Sequence, residues 1–144
     1  ISANMGEELK PLAKTASGGE LSRIMLAIKN SLAGKDGTDT MIFDEIDTGV
    51  SGNAARKIAE KLKEVSRGRQ VICVTHLAPI ASFADTHMLI SKSVSDLKTY
   101  TKVTPLTYDE RIHEIARLMG VGSVGGSILQ SAKEMLDFGG GAGV

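Results

Sequence analysis

Ser17-Gly18-Gly19-Glu20 sets a hydroxyl, two glycines and a carboxylate directly before an apolar run with helical spacing. A helix N-terminus carries unpaired N–H groups and the positive end of the dipole. Glycines let an anion approach those groups and the serine hydroxyl adds a donor, so the run suits a phosphate. A serine N-cap followed by two glycines explains the same residues without a ligand. Met41-Ile42-Phe43-Asp44-Glu45 puts two acids at the end of an apolar strand. In open α/β sheets ligands bind at that end. There Asp44 could hold a magnesium ion and Glu45 could orient an attacking water. A strand that leaves the core through solvated acids is the plainer account. Asp47-Thr-Gly-Val-Ser-Gly52 is a glycine-punctuated turn into a helix, and a capped βα loop suffices for it. Val74-Thr75-His76 closes a second apolar strand. If the two strands are parallel, His76 falls at the sheet edge of Asp44 and Glu45, where it could meet a phosphate or the attacking water. A hydrogen-bonded loop histidine is the alternative.

The elements that must position these residues follow from periodicity. Leu21, Ile24, Met25, Ile28 and Leu32 form a helical stripe, ended by Gly34 and Gly37. Thr40 to Phe43 reads as a short buried strand. A helix over Ser51–Ser66 buries Ala55, Ile58, Ala59, Leu62 and Val65 and turns its charges to water. Gln70 to Val74 is β-branched and apolar, which predicts a central strand of a parallel sheet. A short helix covers Ala78 to Ala84, and Thr86–Ser91 with Thr99–Val103 read as a hairpin or meander. Thr107-Tyr-Asp-Glu110 is a capping box that opens a helix with Ile112, Ile115, Ala116 and Met119 on one face. Gly120 to Gly126 is a loop, and Ser127 to Leu136 is a last helix. Strands alternating with helices predict an α/β layer.

Composition narrows the function classes. The 144 residues carry 17 basic and 17 acidic side chains, so the formal charge is zero and gives no global attraction to nucleic acid or anionic lipid. No apolar run reaches the ~20 residues of a membrane helix. A single cysteine, Cys73, excludes a disulfide framework and a cysteine-rich zinc site. Sixteen glycines are well above the usual ~7 %, which points to function built on backbone turns. Lys57, Lys61, Lys63, Arg67 and Arg69 are interleaved with acids, as on a solvated helix face. No aromatic stacking platform is visible.

Taken in order, these motifs resemble the C-terminal half of an ABC-type ATPase head. Ser17 to Glu20 match the signature motif, Met41 to Glu45 match Walker B, Asp47 onward looks like the D-loop, and His76 looks like the switch histidine. The runs Ala16 to Ala27, Phe43 to Gly52 and Val74 to Leu77 are similar to the SMC-like ATPases of bacterial DNA repair. Leu9 to Lys14 and Arg111 to Leu118 match that branch too. The resemblance covers residues 1–136. It implies an α/β fold: the C-terminal half of an ABC/SMC-type P-loop NTPase head, with a largely parallel sheet and flanking helices. Residues 1–137 would form that lobe, and 138–144 a flexible glycine-rich tail.

The resemblance also implies the chemistry. ATP is hydrolysed with Mg2+ while sandwiched between two heads. Asp44 helps hold the magnesium, Glu45 activates the attacking water, and His76 contacts the γ-phosphate or that water. Ser17, Gly18, Gly19 and Glu20 cap the γ-phosphate of ATP on the other head, and Asp47 bridges the two sites. The implied partners are an N-terminal Walker A lobe of the same protein, a second head in a homodimer, and DNA. The implied setting is the bacterial cytoplasm, beside the nucleoid and away from membrane. No G-x-x-x-x-G-K-[ST] occurs, and Gly122-Ser-Val-Gly-Gly-Ser127 has no lysine to reach phosphates. The expectation is therefore a fragment of a larger protein, inactive alone. Two other readings stand beside it. One is a non-catalytic interaction module derived from such a head. The other is a nucleotide-binding half of an ABC transporter, against which the Asp47–Gly52 run and the lack of Glu-Pro-Thr after Walker B both argue.

Overall fold

A computed structural model describes residues 6, 8, 11, 16–32, 37–95, 98–120 and 125–140. Leu9 to Lys14 apart from Pro11, together with Gly34, 121–124 and 141–144, lie outside the described residues. The chain divides into two units, Ile1–Thr75 and His76–Val144.

The first unit runs α1 (Gly18–Leu32), β1 (Thr40–Phe43), α2 (Gly52–Val65) and β2 (Gln70–Cys73). β1 and β2 pair in parallel with Phe43 beside Cys73, and Val74 N–H extends the ladder to Phe43 O at 2.9 Å. Alternation along β1 buries Met41 and Phe43 and turns Ile42 outward, 70 % exposed. α2 buries Ala55, Ala59, Leu62 and Val65, the expected stripe with Ile58 at its margin. Ile46, fully buried in the turn after β1, adds to this core.

Two expectations change here. β2 was expected at the centre of a sheet, but it pairs along one edge only, and its other edge has no strand partner among the described residues. The α1 stripe was expected to face a core. Instead Leu21, Met25, Ile28 and Leu32 are exposed and Leu26 is the buried aliphatic. α1 packs on α2 through a different face, where Asn30 Nδ2 donates to Lys61 O and Glu64 Oε2 at 3.4 and 3.2 Å. Ile72 and Val74 are exposed like Ile42, so the first unit presents open apolar surface on both its sheet and its helix.

The second unit runs α3 (Ala78–Ala81), β3 (Met88–Ser95), β4 (Lys98–Pro105), α4 (Tyr108–Leu118) and α5 (Gly126–Phe138). β3 and β4 form the expected antiparallel hairpin, longer than the sequence pattern indicated. The α4 capping box is present: Thr107 Oγ1 accepts from Glu110 N–H at 3.4 Å, and Glu110 Oε2 accepts from Thr107 N–H at 2.8 Å. Ala78, Ala81, Ile115, Ala116 and Ala132 make a core bordered by Ile112, Met119 and Leu129. Small residues let α3, α4 and α5 approach closely. α5 includes Phe138, whose ring meets Phe83 edge-to-face at 6.1 Å, and Gly139 is buried against Ser82. A Cβ on Gly139 would lie 2.5 Å from Ser82 O, so the tail expected to begin at Phe138 starts instead as packed structure.

Candidate nucleotide-handling site

Ser17 caps α1 reciprocally with Glu20. Glu20 Oε2 accepts from Ser17 N–H at 2.8 Å and from its hydroxyl at 2.9 Å, while Ser17 Oγ accepts from Glu20 N–H at 3.4 Å. This geometry is the serine N-cap, with the Ser17 N–H and hydroxyl both engaged by Glu20. The Ser17 hydrogen bonds hold the Glu20 carboxyl below its ordinary range. Glu20 therefore stays ionised and serves the cap, a role signalled by the same spacing that marks the box at Thr107 and Glu110.

Parallel pairing places Asp44 and Glu45 at the C-terminal end of β1, both exposed. Asp44 Oδ1 accepts from Glu45 N–H at 2.9 Å. Glu45 is the one non-glycine residue with a positive φ among the described residues, at 57°. That backbone costs on the order of 1–3 kcal/mol and persists where surrounding structure over-determines it. The surroundings do so here. Glu45 O accepts from Thr48 N–H at 3.0 Å, and the helix start abuts Glu45 on its other side. A Cβ on Gly18 would lie 2.5 Å from Glu45 Oε2, and one on Gly19 would lie 2.7 Å from Glu45 O and 3.0 Å from Thr48 Cβ. The Glu45 side chain can swing away from Gly18, but backbone oxygen cannot, so Gly19 is required for α1 to start against the turn after β1.

Three further residues hold this turn. Ser22 Oγ donates to Asp44 O at 2.9 Å. Arg23 Nη1 donates to Ile46 O at 3.1 Å and Thr48 O at 2.9 Å. Thr75 Oγ1 donates to Asp47 Oδ2 at 2.6 Å, and Asp47 is only 4 % exposed. Sequence reasoning passed over all three. Ser22 and Arg23 lie one helical turn past Gly18 and Gly19, a spacing that puts them on the face those glycines turn toward Glu45. Cys73 closes β2, and burial, with the charges of Asp47 and Asp44, pushes its thiol to about 12. It is a neutral thiol there and no nucleophile. His76 is exposed and opens the second unit, one residue after Thr75.

Among the described residues no group of three His, Cys, Asp or Glu side chains forms a metal cage. A magnesium ion needs less from protein, since one or two carboxylates plus phosphates and waters complete its shell. Asp44, exposed at a strand end with its Oδ1 accepting from Glu45 N–H, fits that requirement. The basic residues of α2 are engaged locally: Lys61 pairs with Glu64 at 2.7 Å and Arg56 with Glu60 at 3.2 Å. That is the solvated-face arrangement.

The chain is 50 % identical over 136 residues to DNA repair protein RecN of Bacillus subtilis, and 49 % identical over 136 residues to RecN of Deinococcus radiodurans. Over nearly its whole length the chain is similar to RecN proteins. RecN of Vibrio cholerae is 42 % identical over 136 residues. Each of these alignments takes in 94 % of the chain but only 24 % of the relative, so the chain spans about a quarter of the length of the RecN proteins it matches. No family model matches it. Among solved structures, one from work on ATP-driven dimerization and DNA-stimulated activation of SMC ATPases superposes with a TM-score of 0.53. It covers 83 % of this chain and 70 % of that one at 24 % identity, which shows the SMC-head fold. No described helix is long and apolar enough to cross a membrane.

Proposed function

We propose that this chain is the signature and Walker B lobe of a RecN-type ATPase head that hydrolyses ATP in DNA double-strand-break repair. The observation that carries this reading is Glu45: an exposed carboxylate at a parallel strand end, held at positive φ against a phosphate-capping helix start. Strain at that one acid is what a positioned catalytic group would show and a solvated acid would not. Similarity to RecN proteins over 94 % of the chain supports the same conclusion.

In this reading Asp44 would hold the magnesium ion, and its hydrogen bond from the Glu45 backbone N–H orients the Asp44 carboxylate. Bound magnesium supplies charge neutralisation at the phosphates. Glu45 accepts a proton from, or orients, the attacking water. Ser17, Gly18 and Gly19 offer a hydroxyl and helix-start N–H groups to a γ-phosphate held by a second head. His76 contacts that phosphate or the water. Asp47, buried and bonded to Thr75, keeps the D-loop turn in register between the two sites. An N-terminal lobe supplies the lysine-bearing phosphate loop and a second head completes a homodimer. The setting is the bacterial cytoplasm, at the nucleoid.

Mixing this chain with a separately expressed Walker A lobe tests the reading through phosphate release. Activity is expected from the mixture and from neither piece alone. Glu45→Gln should keep nucleotide-dependent association and lose about a hundredfold or more in turnover, within the range of general base catalysis. Unchanged turnover in that variant removes Glu45 from the chemistry. Tight ATP binding by the 144-residue chain alone counts against a divided head.

A further inference from the structure

The β3–β4 ribbon has two unlike faces. Its register pairs Ile90 with Val103, Lys92 with Thr101 and Val94 with Thr99 on one side, and Ser91 with Lys102 and Ser93 with Tyr100 on the other. Lys98, Tyr100 and Lys102 alternate along β4, so all three lie on the second face. All three are exposed, Tyr100 by 52 %. Residues 88–105 contain three lysines and a single acid, Asp96, a local positive balance in a chain of zero net charge.

A tyrosine ring exposed between two lysines is unlike the other charged surface of this molecule. On α2, by contrast, Arg56 and Lys61 pair with Glu60 and Glu64 of the same helix. On β4 the cross-strand neighbours of Tyr100 and Lys102 are Ser93 and Ser91, too small to cover the ring and able to donate hydrogen bonds. Strand rise puts Lys98 and Lys102 about 13 Å apart with the ring midway. A cation, an aromatic face and a second cation in line are what a single nucleic-acid strand needs. The base stacks on the ring, and the phosphates to either side meet ammonium groups. A duplex hides its base faces and has no use for the ring. An acidic protein partner would use the lysines and leave the ring idle.

We propose that the Lys98-Tyr100-Lys102 face of the ribbon binds single-stranded DNA, Tyr100 stacking on a base and the lysines meeting the flanking phosphates. This rests on the DNA-repair reading above and gives it a contact surface. The test is fluorescence anisotropy of a labelled oligothymidine titrated with the 144-residue chain at several salt concentrations. Tyr100→Ala should weaken binding about five- to 150-fold, the span of one base-stacking contact, whereas Tyr100→Phe should bind nearly as wild type. Lys98→Ala with Lys102→Ala should lower the slope of log affinity against log salt by about 1.4. Thermal melts of the variants, all altered at exposed positions, report that they fold. Binding that survives both the tyrosine and the lysine changes overturns the ribbon assignment and leaves the DNA-repair reading standing. Equal affinity for a duplex of the same length, or no binding by the wild-type chain, also overturns it. Phosphate release by the mixed lobes reports on the ATPase reading independently.

Discussion

At the scale of single residues, the close approach of Gly19 to the turn after β1 is the most exacting requirement in the first unit. A methyl there would press on backbone oxygen Glu45 O and on Thr48. Gly19→Ala should lose about 1–3 kcal/mol of stability, measured by urea unfolding, because backbone cannot give way as a side chain can. Nothing in Ser-Gly-Gly-Glu distinguishes this from an ordinary loop glycine, because the neighbour that fixes it lies 26 positions later. His87 is another residue whose environment is invisible in the sequence. Its Nδ1 is buried without a hydrogen-bond partner, and burial, with the Arg111 charge, holds its pKa below the ordinary 6.5, while Glu114 opposes this. A depressed base favours the folded state above its unfolded pKa, and that contribution is lost as pH falls through about 6.5 toward the folded value. Acidification across that window should lower the unfolding midpoint of the wild-type chain, and His87→Gln should flatten the response.

At the scale of elements, the two capping boxes give a matched pair. Thr107 and Ser17 make the same reciprocal bonds, but only Ser17 sits beside a proposed reaction centre. Thr107→Ala and Ser17→Ala should each lose about 1 kcal/mol in chemical unfolding. Only Ser17→Ala should also depress turnover of the assembled head. Elements whose cause is local were legible in the sequence: β1 from its apolar run, α2 from its spacing, α4 from its box. The α1 stripe was legible as a helix but not as a facing. Periodicity reports that one side is apolar, and only tertiary packing decides whether this lobe covers it. The left-handed backbone at Glu45 and the burial of Arg111, which donates to Ala84 O at 2.6 Å and is only 6 % exposed, arise from contacts distant in sequence. Alternation along β4 sets Tyr100 between Lys98 and Lys102 in the sequence itself, whereas the open space around the ring comes from cross-strand pairing with small residues.

At the scale of the whole chain, the first unit holds its core together while Ile42, Ile72, Val74 and the α1 stripe stay open. Burying such surface is worth roughly 25 cal/mol per Å2, so a complementary lobe has a large incentive to cover it. Ile42→Lys should alter the stability of the isolated chain by no more than about 0.5 kcal/mol, as for other surface changes, yet block association with a Walker A lobe in sedimentation or pull-down. Full association by that variant would place the lobe contact elsewhere. The open sheet also bears on the lifetime of the polypeptide. A fold whose apolar face is completed by another molecule has a melting temperature set by mass action, rising with the logarithm of that molecule's concentration. Below the dissociation constant, the chain keeps only its own modest margin and is drained by proteases through its unfolded fraction. Joined in one polypeptide, the covering lobe would meet this face at a fixed effective concentration, so the uncovered face of two strands ties the survival of each lobe to that of the other.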